Sequence, residues 1–406
     1  MVVYSAPQTT FFVGRDIELN DIAELLTNPL CRLLTLTGPG GIGKTRLALE
    51  VARRQNGTFP GGFCFIPLQP LNSHEYIIAA LVEHLNFPLS LNKGLFEQLL
   101  EYLGEKSLLL VIDNFEHLLE GIHLLSGILA HAPHVKILTT SRERLNLVEE
   151  WVYDIGGLSF PANDSETDIE NYGAVQLFMQ NARRVHHRFA LTAAHKQTVS
   201  RICRLVSGMP LGIELASAWV RVLPCEVIAD EIEHSLDILE TTSGNITPRH
   251  QNMRAAFEPT WNRLSEDERR VFMKLSIFRG GFTREAAEYV AGATVRSLSA
   301  LVDKSLLRLD TNGRRYSIHE LLRQYGEEKL DASLHTQNET LDLHCAYYMH
   351  FLREREIDIV FLGRQREAIE QINNDLENVR GAWRRAVIQG RFEEISQAAE
   401  GLWDFY

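Results

Sequence analysis

A chain that runs Leu-Leu-Thr-Leu-Thr from residue 33 and then breaks into Gly-Pro-Gly-Gly-Ile-Gly-Lys-Thr has few folds open to it. The first five residues read as a buried strand, and residues 44–53 (KTRLALEVAR) read as a helix. Between them, Gly38 to Thr45 matches G-x-x-x-x-G-K-T. Glycines at that spacing let the backbone curl tightly and aim its N–H groups inward at phosphate oxygens. Lys44 can reach β- and γ-phosphates and the Thr45 hydroxyl can ligate Mg²⁺, while the helix N-terminus adds partial positive charge. Gly38, Gly40, Gly41, Ile42, Gly43, Lys44, Thr45 and Arg46 are therefore candidate phosphate-binding residues. The implied ligand is a nucleoside triphosphate or diphosphate.

A loop of this kind calls for a second acidic element at the end of a neighbouring strand. Residues 107–113 (SLLLVID) supply one: five consecutive aliphatics, the pattern of a parallel strand covered on both faces, and then Asp113. Asp113 is placed to hold Mg²⁺, through water. Asn114 and Glu116 follow; Glu116 can orient or deprotonate an attacking water, or cap the next helix. Residues 62–68 and 134–140 read as two further strands, the second ending in Thr-Thr-Ser-Arg. Parallel strands point their carboxyl ends at the ligand crevice, so Arg142 is placed to sense a γ-phosphate, with a solvated loop arginine as the alternative and Arg144 as a substitute. Ahead of the loop, Phe11-Phe12-Val13 and a turn at Gly14 precede a capped helix.

With 406 residues, 45% of them hydrophobic, the chain is long enough for two to four domains. A net charge of −12 argues against a surface that grips nucleic acid throughout. The five cysteines (Cys31, Cys64, Cys203, Cys225, Cys345) form no Cys-x-x-Cys pair and are expected as buried free thiols in a reducing compartment. No apolar run approaches the ~18 residues that span a bilayer, and the N-terminus lacks the pattern of a secretory signal. A cytoplasmic location without membrane contact is expected. Both ends read as cut from a longer protein.

Helical periods dominate the remainder. Residues 173–185, 196–207 and 211–222 are helices, the last two separated by Gly208-Met209-Pro210. A proline there starts a helix cheaply, since its missing N–H is not needed in the first turn. From Ser265 the order is helix, two short helices (283–291 and 294–306), a hairpin about Asn312-Gly313, then a helix: a winged-helix order. Residues 241–330 carry fifteen Lys and Arg against eleven Asp and Glu, dispersed rather than gathered on one element. Direct DNA binding is therefore disfavoured relative to an intramolecular role. Residues 339–355, 363–389 and 391–406 complete an all-helical end, with an αα-hairpin at Gln389-Gly390.

Phe-Val-Gly-Arg-x-x-Glu before the loop, Asp113-Asn114-Phe115-Glu116-His117, Thr-Ser-Arg at 140–142, Gly208-Met209-Pro210-Leu211 and Phe278-Arg279-Gly280-Gly281-Phe282 together resemble the STAND-class signal-transduction ATPases with an NB-ARC-type module, in particular large bacterial transcription regulators. The resemblance covers essentially the whole chain. It implies a multidomain α/β and α architecture: a P-loop NTPase parallel sheet (1–155), a helical domain (156–240), a winged helix (241–332) and a tetratricopeptide-like start of a sensor array (333–406). It also implies ADP or ATP with Mg²⁺ as ligands, and slow hydrolysis serving a switch. Val13 and Arg15 would contact the adenine end and Pro210 would press on the base. Thr45 and Asp113 would serve Mg²⁺, Arg142 would be the sensor, and His319 would touch the β-phosphate of ADP. Asn114 stands where many relatives carry a second acid. Implied partners are a second copy on activation, and a signal protein or ligand read by the C-terminal array. An ordinary P-loop kinase or ATPase is the enzymatic alternative, without an acceptor site in the sequence.

Overall fold

The computed structural model describes residues 12–403 apart from 56, 91, 164–165, 167, 241–250, 311 and 361–364. The chain divides into two compact units, Met1–Ala256 and Phe257–Tyr406. Phe11 and residues 404–406, parts of the expected first segment and last helix, lie outside the described residues.

The first unit is organised by strands β1 (Leu33–Thr37), β2 (Phe63–Pro67), β3 (Leu109–Asp113), β4 (Lys136–Thr140) and β5 (Glu150–Asp154). All pair in parallel, in the order β2-β3-β4-β1-β5. β1 and β3 are buried at every position, as unbroken apolar runs require when both faces are covered. Helices α1 (Asp16–Thr27), α2 (Lys44–Arg54), α3 (Ile77–Leu85), α4 (Leu95–Gly104) and α5 (His123–His131) belong to the same layer system. Leu81, Leu99, Leu125 and Ile128 from these helices join Ile66, Leu110, Ile112 and Ile137 from the strands in one core. β5 carries no strand signal in the sequence: it is an edge strand whose Glu150, Trp151 and Asp154 keep contact with solvent, so it lacks the apolar run that marks its neighbours.

Four helices follow: α6 (Gly173–Val185), α7 (Ala193–Leu205), α8 (Pro210–Ala218) and α9 (Cys225–His234). α7 begins earlier than its apolar period suggests because the Thr192 side chain accepts from His195 N. α8 ends at Ala218 rather than 222, and Trp219–Arg221 tighten into a 3₁₀ turn whose Trp219 indole donates to Ile238 O at 2.5 Å. The side-chain cap expected for α1 is absent; Arg15 occupies that position in a left-handed conformation. α10 (Met253–Asn262) starts in this unit.

The second unit holds α11 (Glu266–Leu275), β6 (Phe282–Thr283), α12 (Arg284–Ala291), α13 (Val295–Asp303), β7 (Arg308–Leu309), β8 (Arg315–Ser317) and α14 (Glu320–Asp331). The antiparallel sheet order β6-β8-β7 behind these helices is winged-helix-like. Ser265 and Glu268 form the reciprocal cap that starts α11, and Val271, Phe272 and Leu275 are its buried face. α15 (Leu334–Val360), α16 (Gln365–Asn374), α17 (Leu376–Gln389) and α18 (Phe392–Trp403) complete the unit.

The single helix expected over 363–389 is broken at Asp375. Its backbone leaves helical geometry so that the buried carboxylate can take two bonds from Arg315 on β8 (2.7 and 3.0 Å) and one from the Tyr348 hydroxyl (3.0 Å). Asn378, one turn on, accepts from Arg279 N (2.7 Å) and donates to Gly281 O (2.8 Å). The Phe278-to-Phe282 segment is thus the seam that joins wing and helical layer.

All five cysteines are free and buried, and burial pushes the Cys64 and Cys203 thiols up to about 12. Among the described residues no helix is long and apolar enough to cross a membrane.

His344 packs against Phe278 and Tyr348, with ring centroids 5.3 and 4.8 Å away. Burial holds its imidazole down to about 4, against opposition from Asn378 and Asp375. The unfolded chain takes that proton near pH 6.5, so between the two values unfolding absorbs a proton. Stability should fall as pH drops from about 6.5 to 4, by up to about 1.4 kcal/mol per pH unit from this group. Urea unfolding at pH 7.5 and 5 should show the loss, and His344→Gln should flatten it; parallel pH dependences for the two proteins would contradict the assignment.

Candidate nucleotide site

Parallel pairing brings the carboxyl ends of β1, β3 and β4 to one edge of the sheet. β1 runs into the glycine loop, and Gly38, Gly41 and Gly43 all hold positive φ (149, 84 and 95°). α2 starts at Lys44 directly from the left-handed Gly43. The Lys44 ammonium folds back over the loop and donates to Gly38 O (2.6 Å) and Pro39 O (3.1 Å). It therefore lies across the loop whose backbone would cradle a phosphate chain.

Asp113 closes the site from β3. Its Oδ1 accepts the hydroxyls of Thr45 and Thr140, each at 2.6 Å. Burial raises its pKa, and the two hydroxyl bonds oppose that rise. Hydroxyl and carboxylate oxygens at the end of a P-loop are the hard donors that Mg²⁺ prefers.

Asn114 takes a left-handed conformation and gives its backbone N–H to Thr140 Oγ1 (2.9 Å). Its amide faces His117 Nδ1 (3.2 Å), while His117 Nε2 lies 3.2 and 3.0 Å from Leu68 O and Leu71 O. Those carbonyls fix the proton on Nε2, leaving Nδ1 to accept from Asn114. Asn114 is thereby committed to bracing the loop after β2, and Glu116 remains the acid of the motif. Glu116 is buried in a 3₁₀ turn and pairs with Arg142 Nε at 2.9 Å, so it does not serve as a helix cap. Arg142 is likewise buried, not solvated, and its Nη1 donates to Ala256 O at 2.5 Å.

Two flanking segments reach the loop. Arg15 places its guanidinium on Ile42 O (3.1 Å) and Gly156 O (2.7 Å), with Glu18 at 2.6 Å. Leu211, just after Pro210, donates its N–H to Gly41 O at 3.2 Å. A Cβ built on Gly43 would meet the Pro210 ring at 3.7 Å, so Pro210 lies in van der Waals reach of the loop. Val13 sits on the wall of a cavity of about 680 Å³ with Val175, Met179 and Leu191. Arg46 is more peripheral, half exposed and 3.9 Å from Glu214. His319, in the second unit, caps α14, its Nδ1 accepting from Leu321 N (3.3 Å). The part played by Ala256 was invisible in the sequence, since a backbone carbonyl is common to every residue.

A parallel sheet whose first strand enters this loop, with a buried aspartate at a neighbouring strand end, defines a P-loop nucleotide-binding fold. Residues 29–150 match the family model described as an AAA domain. An uncharacterized protein of Mycobacterium tuberculosis is 33% identical over 336 residues, 80% of this chain and 82% of that protein. A second protein of that organism, named "Putative HTH-type transcriptional regulator", is 30% identical over 91% of this chain, which spans 41% of its length. The chain belongs to one family with these mycobacterial proteins, and its residues 29–150 form a P-loop AAA domain. A further relative is the regulatory protein AfsR of Streptomyces coelicolor, 25% identical over 77% of this chain and 32% of its own. Among solved structures, a STAND protein with a tetratricopeptide repeat sensor from Pyrococcus horikoshii aligns over 99% of this chain and 59% of its own. Its TM-score is 0.33 and its identity 19%, too shallow to add to the assignment.

Gly208 holds the Pro210–Leu211 segment in place. It has φ 66°, and its carbonyl accepts from Leu158 N at 2.8 Å. A Cβ there would overlap the Leu158 carbonyl. Gly208→Ala should cost about 2–4 kcal/mol by strain and overlap together, read as a lowered urea midpoint. An unchanged midpoint would show that the segment is not held this way.

Proposed function

We propose that the chain is an ATP/ADP switch: ADP holds a closed resting form, ATP favours a form competent to self-associate, and slow hydrolysis returns one to the other. The observation that carries this reading is the shared edge of the sheet. Lys44 folds over the loop there, Thr45 bonds Asp113, and Arg142 and Glu116 are ion-paired at 2.9 Å beside Gly40 of the same loop.

In this reading the loop N–H groups and Lys44 hold the phosphates, and Thr45 and Asp113 hold Mg²⁺. That ion supplies charge neutralisation between the phosphates. Val13, Arg15 and Pro210 bound the adenine end, and Arg46 sits at the rim. Residues 1–155, 156–240, 241–332 and 333–406 act as nucleotide, helical, winged-helix and tetratricopeptide-like sensor modules. The last would receive a signal protein or ligand. The names of the relatives point to transcriptional regulation, and a cytoplasmic setting goes with it.

A nucleotide biases two states only by its differential affinity for them. The purified chain is therefore expected to carry ADP in near-stoichiometric amount, and to hydrolyse ATP well below the ~1–100 s⁻¹ of kinases. Lys44→Ala should weaken nucleotide binding by about 100-fold, on the order of 3 kcal/mol. His319→Ala should release ADP about tenfold faster. Kinase-like turnover, or ADP retention indifferent to His319, would overturn the switch.

A further inference from the structure

The Arg142 guanidinium lies directly over the glycine loop. A Cβ built on Gly40 would lie 3.0 Å from Arg142 Nη1 and would overlap the Ala256 carbonyl oxygen, so both groups are stacked on that residue. Arg142 bridges two acceptors of different origin: the Glu116 carboxylate from the turn after β3, at 2.9 Å, and the Ala256 carbonyl from the first turn of α10, at 2.5 Å. Arg142 and Glu116 are 6 and 4% exposed, so the pair is sheltered from water and its charges attract strongly. The arginine placed to read a terminal phosphate and the acid placed to activate water thus neutralise each other.

We propose that Arg142, Glu116 and the Ala256 carbonyl form an interlock over the P-loop, opened by a terminal phosphate. The γ-phosphate draws the guanidinium off both acceptors. That one movement registers the triphosphate, releases the Ala256 carbonyl at the start of α10 from its Arg142 bond, and takes the guanidinium off the Glu116 carboxylate. The Glu116 carboxylate then accepts a proton from the attacking water. The water oxygen bonds to the γ-phosphorus as the bridging P–O bond breaks, its electron pair staying on ADP. Loss of inorganic phosphate lets Arg142 return to Glu116 and Ala256. The inference rests on the switch reading and adds the element that couples phosphate to chain.

The test is the ratio of ADP to ATP dissociation constants in the full chain with Mg²⁺, measured calorimetrically under non-turnover conditions with a non-hydrolysable ATP analogue. Glu116→Gln keeps the shape and removes the charge that detains Arg142. It should tighten the ATP analogue relative to ADP by about tenfold while abolishing hydrolysis. Arg142→Ala should remove the preference, and the double variant should match Arg142→Ala, since the two groups act as one unit. Gly40→Ala, whose methyl would push Ala256 and Arg142 aside, should shift the ratio in the same direction as Glu116→Gln. A ratio unmoved by Glu116→Gln, or moved equally with and without Arg142, overturns the interlock even if ADP retention and slow turnover stand. Failure to bind either nucleotide removes both readings.

Discussion

A loop made of glycines has no side chains with which to hold its own shape. Its conformation must be imposed by whatever touches its backbone, and everything else at this site follows from that constraint. Here the contacts come from four places: Lys44 bonds the carbonyls of Gly38 and Pro39, Arg15 bonds Ile42 O, the Leu211 N–H bonds Gly41 O, and the Ala256 carbonyl lies close against Gly40. Two of them, Leu211 and Ala256, belong to helical segments far along the chain. Any ligand that reshapes the loop must work on those segments too.

The proposed switch rests on two buried electrostatic arrangements. Asp113 is buried with two hydroxyl donors and has its pKa raised by desolvation, so a cation arriving between it and Thr45 relieves an existing cost. Arg142 and Glu116 are buried together, and separating such a pair is expensive unless a new anion replaces the old one. A diphosphate supplies no such replacement at the γ position; a triphosphate does. In the proposed switch, chemical identity at one oxygen cluster becomes a mechanical difference.

Much of this was legible in the residues. The loop, the apolar run ending in Asp113 and the strand leading to Arg142 carry strong local signals, because buried parallel strands admit little except aliphatics. The cap of α11 was readable from Ser265 and Glu268 for the same reason of local chemistry. What escaped depended on distant partners. β5 is an edge strand with mixed polarity. The break at Asp375 exists because Arg315, sixty residues earlier, needs a carboxylate. The role of Asn114 required knowing that His117 is pinned by two carbonyls after β2. Ala256 enters through its backbone, which no sequence pattern records.

Amide hydrogen exchange in the full chain, compared with ADP and with a non-hydrolysable ATP analogue, tests the central claim most directly. Residues 38–45 should be protected by both ligands. The first turn of α10, around Met253–Ala256, should stay protected with ADP and exchange faster with the ATP analogue, because in the proposed interlock only a γ-phosphate takes Arg142 from the Ala256 carbonyl. Equal protection of that turn with both ligands, while the loop is occupied in each, would contradict the account.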